Sequence, residues 1–220
     1  MDSEFWIERW QRNEIGFHQS QINPYLEQFW SALIPDTHAT VFVPLCGRSQ
    51  DMVWLQQRGH TVLGVELSLI AVQDFFVEQR LVPTRREVDG FVLFESPGYK
   101  IYCGDYFALK PQHLGQMSAA YDRASLVALP PPLRVRYAQH MARLAPSGTR
   151  TLLIAIDYPA EQMAGPPFAV SDSEVRELYG GTFTVQNLRV HDALQDNPRF
   201  VERGLTRLDE RVYSLHRLDE

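Results

Sequence analysis

The sequence predicts an α/β fold built around a mostly parallel sheet, with an antiparallel pair of strands at one edge. Short apolar runs of strand type alternate with stretches whose apolar residues recur every three or four positions. This alternation is typical of parallel sheets that are covered by helices on both faces. The last two strand-like runs, 182–190 and 211–218, have no helical pattern between them, so we expect them to pair antiparallel.

The N-terminal part is predicted to be helical. Residues 3–12 form a short helix that places Trp6 and Trp10 one turn apart on the same face. After a polar loop, Asn23 and Pro24 start a second helix, because Asn caps free backbone N–H groups and Pro is favoured at the first helical position.

Beyond these helices, apolar strands rich in Val, Leu and Ile alternate with helices opened by Ser or Pro. The expected strands are 39–45, 60–67, the two arms of a hairpin over 91–104, 119–127 and 150–157. The expected helix starts are Ser49, Ser68, Pro130 and the capping box Ser171-x-x-Glu174. We treat the 220 residues as one domain, with 1–37 as a helical cover and 38–220 as the α/β core.

Composition and charge argue against several classes of partner. The formal charge of −6 and the lack of a basic run argue against nucleic acid. The longest apolar run is 152–156, whereas a membrane helix needs about 20 apolar residues. The opening residues lack the pattern of a secretory signal. We therefore expect a cytoplasmic protein without a nucleic-acid or membrane partner. No heptad or conspicuous apolar surface is apparent, which agrees with a monomer.

Cysteine and histidine usage gives no sign of disulfide or metal chemistry. The two cysteines, Cys46 and Cys103, form neither a disulfide framework nor a C-x-x-C motif. The seven histidines are scattered, with no pair at the spacing of metal ligands. We expect no metal site.

One acidic residue stands where a nucleotide-binding fold places its ribose contact. Ligands of parallel sheets collect at the carboxyl ends of the strands. Glu66 ends the second strand, 19 positions after Gly47 in the loop that follows the first strand. At about this spacing (~20 residues) a carboxylate accepts hydrogen bonds from ribose hydroxyls. We predict that role for Glu66; a surface glutamate at a strand end is the simpler alternative.

The loop over residues 44–51 holds a single glycine, whereas a dinucleotide fingerprint has three. A pyrophosphate would favour more glycines and no bulky Arg48. A nucleoside cofactor without phosphate needs less room, which favours S-adenosylmethionine over NAD or FAD. For the loop taken alone, a plain tight turn is an equal alternative.

Other strand ends and the first helix each allow two interpretations. Asp105 either accepts from an adenine amino group, with Tyr106 or Phe107 against the ring, or caps the next helix. Asp122 either pairs with Arg123, or Arg123 faces a ligand.

Trp6 and Trp10 are either a core stripe or the ligand-facing side of a lid, since Trp faces attract cations such as a sulfonium. Phe17 and His18 would then lie on the substrate side, and His18 is not assigned a base role.

Four stretches together resemble one enzyme family: FWIERWQRNEIGFHQ, VFVPLCGRSQDMVWLQQRGHTVLGVELS, YDRASLVALPP and GPPFAVSDSEV. In order and spacing they are similar to the bacterial thiopurine S-methyltransferases, essentially over the whole chain. The resemblance implies a class I (Rossmann-like) methyltransferase fold with a seven-stranded, mostly parallel sheet, an antiparallel edge hairpin and an N-terminal helical cover. It also implies S-adenosyl-L-methionine as the methyl donor.

Carried over by motif position, the resemblance implies two sets of site residues. The cofactor contacts would be Trp10, Leu45, Gly47, Glu66, Asp105, Tyr106 and Arg123. The substrate contacts would be Trp6, Phe17, Arg123, Pro166, Pro167 and Phe168. The family also has a substrate-side Arg before the last strand, for which Arg199 and Arg203 are both candidates.

The implied reaction is in-line transfer of a methyl group to the sulfur of an aromatic or heterocyclic thiol, such as a thiopurine. Because such a thiol is already substantially ionised near neutral pH, we predict that no dedicated general base is required. Arg123 would favour the thiolate by charge pairing. Selenium and tellurium compounds are further acceptors that the resemblance suggests. An NAD-dependent oxidoreductase and a non-catalytic nucleoside-binding protein are the alternatives.

Overall fold

The computed structural model describes residues 3–219 and shows the expected alternation of strands and helices. The helices are α1 (Ser3–Gln11), α2 (Pro24–Leu33), α3 (Gln50–Gln57), α4 (Leu69–Glu78), α5 (Pro111–Leu114), α6 (Pro131–Leu144), α7 (Asp172–Tyr179) and α8 (Pro198–Glu202). The strands are β1 (Thr40–Val43), β2 (Thr61–Glu66), β3 (Thr84–Val88), β4 (Phe91–Ser96), β5 (Tyr99–Cys103), β6 (Ala119–Arg123), β7 (Arg150–Asp157), β8 (Phe183–Asp192) and β9 (Asp209–Arg217). Among these described helices, none has the length and apolar character needed to cross a membrane.

The chain divides into two compact units, the first ending at Tyr121 and the second beginning at Asp122. In the first unit the strand order is β3-β4-β5-β2-β1-β6. The run β5-β2-β1-β6 is parallel, as strands joined by crossover connections require. Strands β1 and β2 are almost wholly buried, which explains why their sequences are continuously apolar.

The outer edge of this unit differs from the expectation. The predicted hairpin is present as β4 and β5, which turn at Pro97 and Gly98. A further strand, β3, pairs antiparallel with β4 and was not predicted. Its sequence, TRREV, is exposed at four of five positions, so it lacks the apolar alternation from which strands are recognised. With β3 and β4 the described residues contain nine strands, two more than the seven that the resemblance implied.

In the second unit the strand order is β7-β9-β8, and both pairings are antiparallel. The antiparallel pairing of the last two strand segments is therefore confirmed. The expectation that no helix lies between them is wrong, because the short helix α8 does. Strand β9 is the inner member of that pair because Val212, Tyr213 and Leu215 are buried, whereas β8 is largely half-exposed or exposed. The strand expected over 119–127 ends earlier, at Arg123, and a 3-10 turn follows.

Serine and asparagine caps set the starts of the helices, as predicted. Side-chain oxygens of Asn23, Ser49, Ser68 and Ser171 accept from the backbone N–H of Tyr25, Asp51, Ala71 and Glu174 at 3.0–3.3 Å. Two of these caps place the N-termini of α3 and α4 directly after the loops that follow β1 and β2. Free backbone N–H groups are thus concentrated beside the carboxyl end of the parallel strands.

Candidate functional site

Glu66 lies at the carboxyl end of β2 and is held by the backbone on both of its oxygens. Its Oε2 accepts from the Gly47 N–H at 2.9 Å, and its Oε1 accepts from the Ser68 N–H at 2.8 Å. The side chain is 6% exposed. Each carboxylate oxygen keeps a second lone pair, so the group has a fixed orientation and unused acceptor capacity.

Burial dominates the electrostatics of this strand end. It raises the pKa of Glu66, and the backbone N–H groups of Ser68 and Gly47 partly oppose that rise. Burial also raises the pKa of the Cys46 thiol well above its ordinary range and that of Cys103 to about 11. Both thiols therefore stay protonated near neutral pH, and neither has the character of a nucleophile.

The loop after β1 reaches Glu66 through an unusual backbone conformation. Leu45 has φ 45° and Gly47 has φ 52°, so both lie in the left-handed region. For a leucine this conformation costs roughly 1–2 kcal/mol. The Cys46 N–H donates to the Val65 carbonyl at 3.0 Å and secures the turn. Strain of this kind is concentrated at functional sites, and here it aims the Gly47 N–H at the Glu66 carboxylate.

The predicted lid helix lies against the same loop. A Cβ placed on Gly47 would be 3.2 Å from Cζ2 of Trp10, so the indole packs on the glycine itself. Trp10 is 7% exposed. The ring of Phe17 meets Trp10 at 5.6 Å and Trp6 at 5.5 Å, edge to face in both cases. The structure thus brings together three predicted site residues and the glycine of the predicted cofactor loop.

Asp105 and Tyr106 follow β5. The Asp105 Oδ1 accepts from the Phe107 N–H at 2.9 Å, so the cap interpretation of this aspartate is confirmed. One carboxylate oxygen serves that cap, and the side chain as a whole is exposed. Tyr106 is 3% exposed and stacks on Phe42, with ring centroids 6.4 Å apart. Phe107, which is half-buried, has the more accessible ring of the two aromatic residues.

Asp51, in the first turn of α3, is a further polar residue near these elements. Its Oδ1 accepts from the Asn23 N–H at 2.8 Å and its Oδ2 from the Tyr121 hydroxyl at 2.9 Å. The side chain is 1% exposed. It therefore fixes the start of α2, and with it one end of the loop that carries Phe17, to α3 and β6. An acidic residue in a helical first turn is common, so the sequence gives no signal of this role.

In the second unit, Asp122 does not pair with Arg123. Its Oδ2 accepts from the Tyr137 hydroxyl at 2.6 Å, and burial raises the pKa of Asp122 to about 6. Within the described residues, no carboxylate lies within ion-pairing distance (4.0 Å) of Arg123, which is half-buried. The ion-pair interpretation is thus wrong, and the ligand-facing one remains a proposal.

The segment that contains Pro166, Pro167 and Phe168 is fixed by three contacts within this unit. The Tyr158 hydroxyl donates to the Pro167 carbonyl at 2.6 Å, and the Phe168 N–H donates to the Val127 carbonyl at 2.7 Å. The buried Arg134 guanidinium lies 5.7 Å from the Phe168 ring centroid. The predicted substrate residues therefore belong to an ordered segment rather than a loose loop.

The two candidate arginines before β9 differ in their surroundings. Burial, followed by the charges of Arg203 and Arg123, lowers the pKa of Arg199. The Arg203 guanidinium is exposed and lies 3.7 Å from the sulfur of Met163. Both side chains are exposed, but Arg199 lies within electrostatic range of Arg123, which favours it as the substrate-side arginine.

Two further observations concern where the site does not lie and what it does not contain. A cleft of about 500 Å³ in the first unit is lined by residues 20–22, Glu27 and one face of α3, and none of the predicted site residues contributes to it. In the part of the chain that the structure describes, no three His, Cys, Asp or Glu side chains are grouped as metal ligands.

Comparison with known proteins agrees with the architecture. Residues 1–218 match the thiopurine S-methyltransferase family. The thiopurine S-methyltransferase of Nitrosospira multiformis is 48% identical over 215 residues, which cover 98% of each chain. The thiopurine S-methyltransferase of Azotobacter vinelandii is 48% identical over 217 residues, which cover 99% of this chain and 100% of the relative. Among solved structures, a Burkholderia thailandensis 1,6-didemethyltoxoflavin-N1-methyltransferase with bound S-adenosylhomocysteine is similar at TM-score 0.63 and 14% identity, covering 99% of this chain and 87% of its own.

A Methanosarcina mazei S-adenosylmethionine-dependent methyltransferase is similar at TM-score 0.63 and 13% identity, covering 91% of this chain and 100% of its own. At these identities the structures show the fold alone, and they confirm the predicted Rossmann-like methyltransferase architecture. The sequence matches are closer and extend over the whole chain. The chain belongs to the thiopurine S-methyltransferase family.

Proposed function

We propose that this protein transfers the methyl group of S-adenosyl-L-methionine to the sulfur of aromatic and heterocyclic thiols, thiopurines among them. Membership of the family supports the reaction and the donor. The observation that carries the proposal is Glu66, because its carboxylate is anchored by two backbone N–H groups and still has two acceptor positions. Selenium and tellurium compounds are proposed as further acceptors, and the protein is proposed to act as a monomer in the cytoplasm.

The residues at the end of β1 and β2 fit a nucleoside donor that has no phosphate. Two ribose hydroxyls can each donate to one oxygen of Glu66. The space above Gly47, where a pyrophosphate would need to approach the backbone, is taken by the Trp10 indole. A dinucleotide is therefore poorly accommodated by this turn, which argues against the oxidoreductase alternative. Among the residues predicted to face the adenine, Asp105 is exposed and Phe107 is partly so.

When bound, S-adenosylmethionine supplies an electrophilic methyl group on a positively charged sulfur. The proposed contribution of the protein is to position the acceptor thiolate and to exclude water from the transfer. Trp6, Trp10 and Phe17 form an aromatic cluster that suits such exclusion. Well-oriented reactants can gain roughly 7–11 kcal/mol from positioning alone.

On the acceptor side, the proposed cations are Arg123 and Arg199. A guanidinium remains protonated in proteins, so these residues can stabilise a thiolate but cannot remove its proton. The Phe168 ring is likewise bordered by an arginine, Arg134. These groups support a reaction without a general base, in which the acceptor ionises before transfer.

The proposal is tested by incubating the protein with methyl-labelled S-adenosylmethionine and a panel of acceptors: thiopurines, thiophenols, selenite and tellurite. We expect labelled methyl sulfides from the thiols, and loss of labelling in Arg123→Met. A matched control is Arg143→Met, which changes an exposed arginine on α6 outside the predicted site. Donor binding without transfer to any acceptor would instead identify a non-catalytic nucleoside-binding protein.

A second experiment addresses the absence of a base. The pH dependence of kcat/KM is measured for thiols of different acidity, in the native protein and in His18→Ala. We expect the midpoint of each profile to follow the pKa of the thiol and to be unchanged by the substitution. A midpoint that stays constant across the thiols would show that a protein group titrates and that the no-base proposal is wrong.

A further inference from the structure

Arg48 occupies the turn next to Gly47, and its side chain connects three elements of the first unit. One guanidinium nitrogen lies 2.7 Å from Oε1 of Glu78 and 3.4 Å from Oδ2 of Asp74. These two carboxylates are four residues apart on α4 and therefore lie on the same face of that helix. The guanidinium carbon lies 5.8 Å from the ring centroid of Trp10.

Trp10 is therefore contacted by two consecutive residues of one turn. Its ring edge packs on Gly47, and its ring is approached by the Arg48 cation. The first contact favours glycine, because φ is 52° and a Cβ there would be 3.2 Å from the indole, closer than an ordinary van der Waals contact. The second contact fixes where the indole lies relative to α4, through the ion pairs of Arg48. Arg48, a residue of the turn, therefore contributes to the position of α1 on that turn.

The strength of this connection suits an element that opens and closes. The Asp74 and Glu78 side chains are 44% and 35% exposed, and ion pairs of this kind are weak and screened by salt. The arginine itself is less exposed, at 18%, which makes its contact with the ring less dependent on salt. Such a contact can hold α1 in place for most of the time and still release it.

We propose that Arg48 is a positioning residue, which acts through Trp10 to keep α1 docked on the Gly47 turn and so sets the affinity for the methyl donor. This inference rests on the proposed function, since it assumes that donor binding requires the docked helix. A ligand that binds only the docked form loses affinity in proportion to the fraction undocked. Arg48 would therefore affect binding of the donor more than the chemical step.

The test compares Arg48→Met with Arg58→Met. Arg58 is a matched control because its guanidinium also lies over a tryptophan, Trp54, at 4.6 Å, but on α3. Hydrogen exchange of the amides of α1 is measured without ligand, and the Kd of S-adenosylhomocysteine is measured by calorimetry. For Arg48→Met we expect exchange of the α1 amides to rise about fivefold, the effect of one lost cation–aromatic contact of average strength. The Kd should rise by a smaller factor, because it scales inversely with the docked fraction, which is high in the native protein. We expect kcat to change by less than about twofold.

Two further measurements sharpen the outcome. Arg48→Lys keeps the charge but not the planar fork, so it should restore part of the exchange protection. Glu78→Gln should loosen α1 as well, because it removes the shorter ion pair. Unchanged α1 exchange in Arg48→Met, or an equal rise in Arg58→Met, would overturn the role of Arg48. Failure of the native protein to bind S-adenosylhomocysteine would instead contradict the proposed function, while the exchange measurement would still decide on Arg48.

Discussion

The replacement of Glu66 by alanine is the most direct test of the candidate site. In the native structure each carboxylate oxygen accepts from one backbone N–H, at 2.8 and 2.9 Å, and has one acceptor position left for a ribose hydroxyl. A hydrogen bond to a charged group contributes about 1.5–3 kcal/mol. Loss of two such bonds to the ligand amounts to about 3 kcal/mol at the lower limit. The Kd of S-adenosylhomocysteine should therefore rise about 100-fold.

The effect on stability should be much smaller, because two contributions oppose each other. Removal of the carboxylate leaves the N–H groups of Gly47 and Ser68 without their acceptor, which costs about 1–3 kcal/mol for each group that water does not reach. It also removes a buried charge, and the raised pKa of Glu66 shows that this charge is unfavourable in the fold. The melting temperature should therefore change by only a few degrees.

Calorimetric titration and thermal melts measure the two quantities on the same samples. Glu66→Gln retains one acceptor and should raise the Kd about tenfold, between the native protein and Glu66→Ala. Glu87→Ala removes an exposed carboxylate from β3 and should leave both quantities unchanged. A native Kd in Glu66→Ala would remove Glu66 from the ribose. Unfolding at ambient temperature would show that the two opposing contributions to stability do not balance as argued.

Three further predictions concern stability. The pKa of Asp122 is raised to about 6, so the stability that its protonation contributes is fully present below the ordinary aspartate pKa and is lost as pH rises through 6. We expect the free energy of unfolding in denaturant to fall by about 3 kcal/mol over this range, and Asp122→Asn to abolish the fall. Burial lowers the pKa of His60, which accepts from the Trp30 indole at 2.9 Å, so stability should fall as pH drops below about 6.5, and His60→Gln should weaken this dependence in thermal melts. Gly165→Ala would place a Cβ against the Phe168 ring at φ 73°, and should cost about 2 kcal/mol in denaturant unfolding and raise the KM of the acceptor.

The sequence predicts those parts of the fold that are fixed by local chemistry. The caps at Asn23, Ser49 and Ser68 are visible because each satisfies backbone groups within three residues of itself. Buried parallel strands are visible because both of their faces must be apolar. Strand β3 has neither a side-chain cap nor two apolar faces, and it is extended because its backbone pairs with β4 at the edge of the sheet. Its recognition requires knowledge of the tertiary structure.

The candidate site divides in a similar way. Glu66 can be found from the number of residues that separate it from Gly47, because the crossover between two parallel strands has a characteristic length in residues. The connections of Asp51 and Arg48 cannot be found in this way, since they join residues 26 to 70 positions apart through side chains of common types. The choice of Arg199 over Arg203 likewise depends on the proximity of Arg123, which the loop sequence does not reveal.

The single glycine of the turn after β1 follows from what the turn contacts. One side of Gly47 presents its N–H to Glu66, and the other side receives the ring of Trp10. The N–H direction depends on the left-handed conformation, and the close approach of the indole favours a residue without a Cβ. Together the two contacts favour glycine at this position but not at the positions beside it. Leu45 is left-handed but keeps its side chain, and Arg48 uses its side chain to reach α4 and Trp10. A phosphate would need backbone N–H groups exposed along the whole turn, and hence more glycines. A turn that instead contacts the Glu66 carboxylate and the Trp10 indole needs only one glycine.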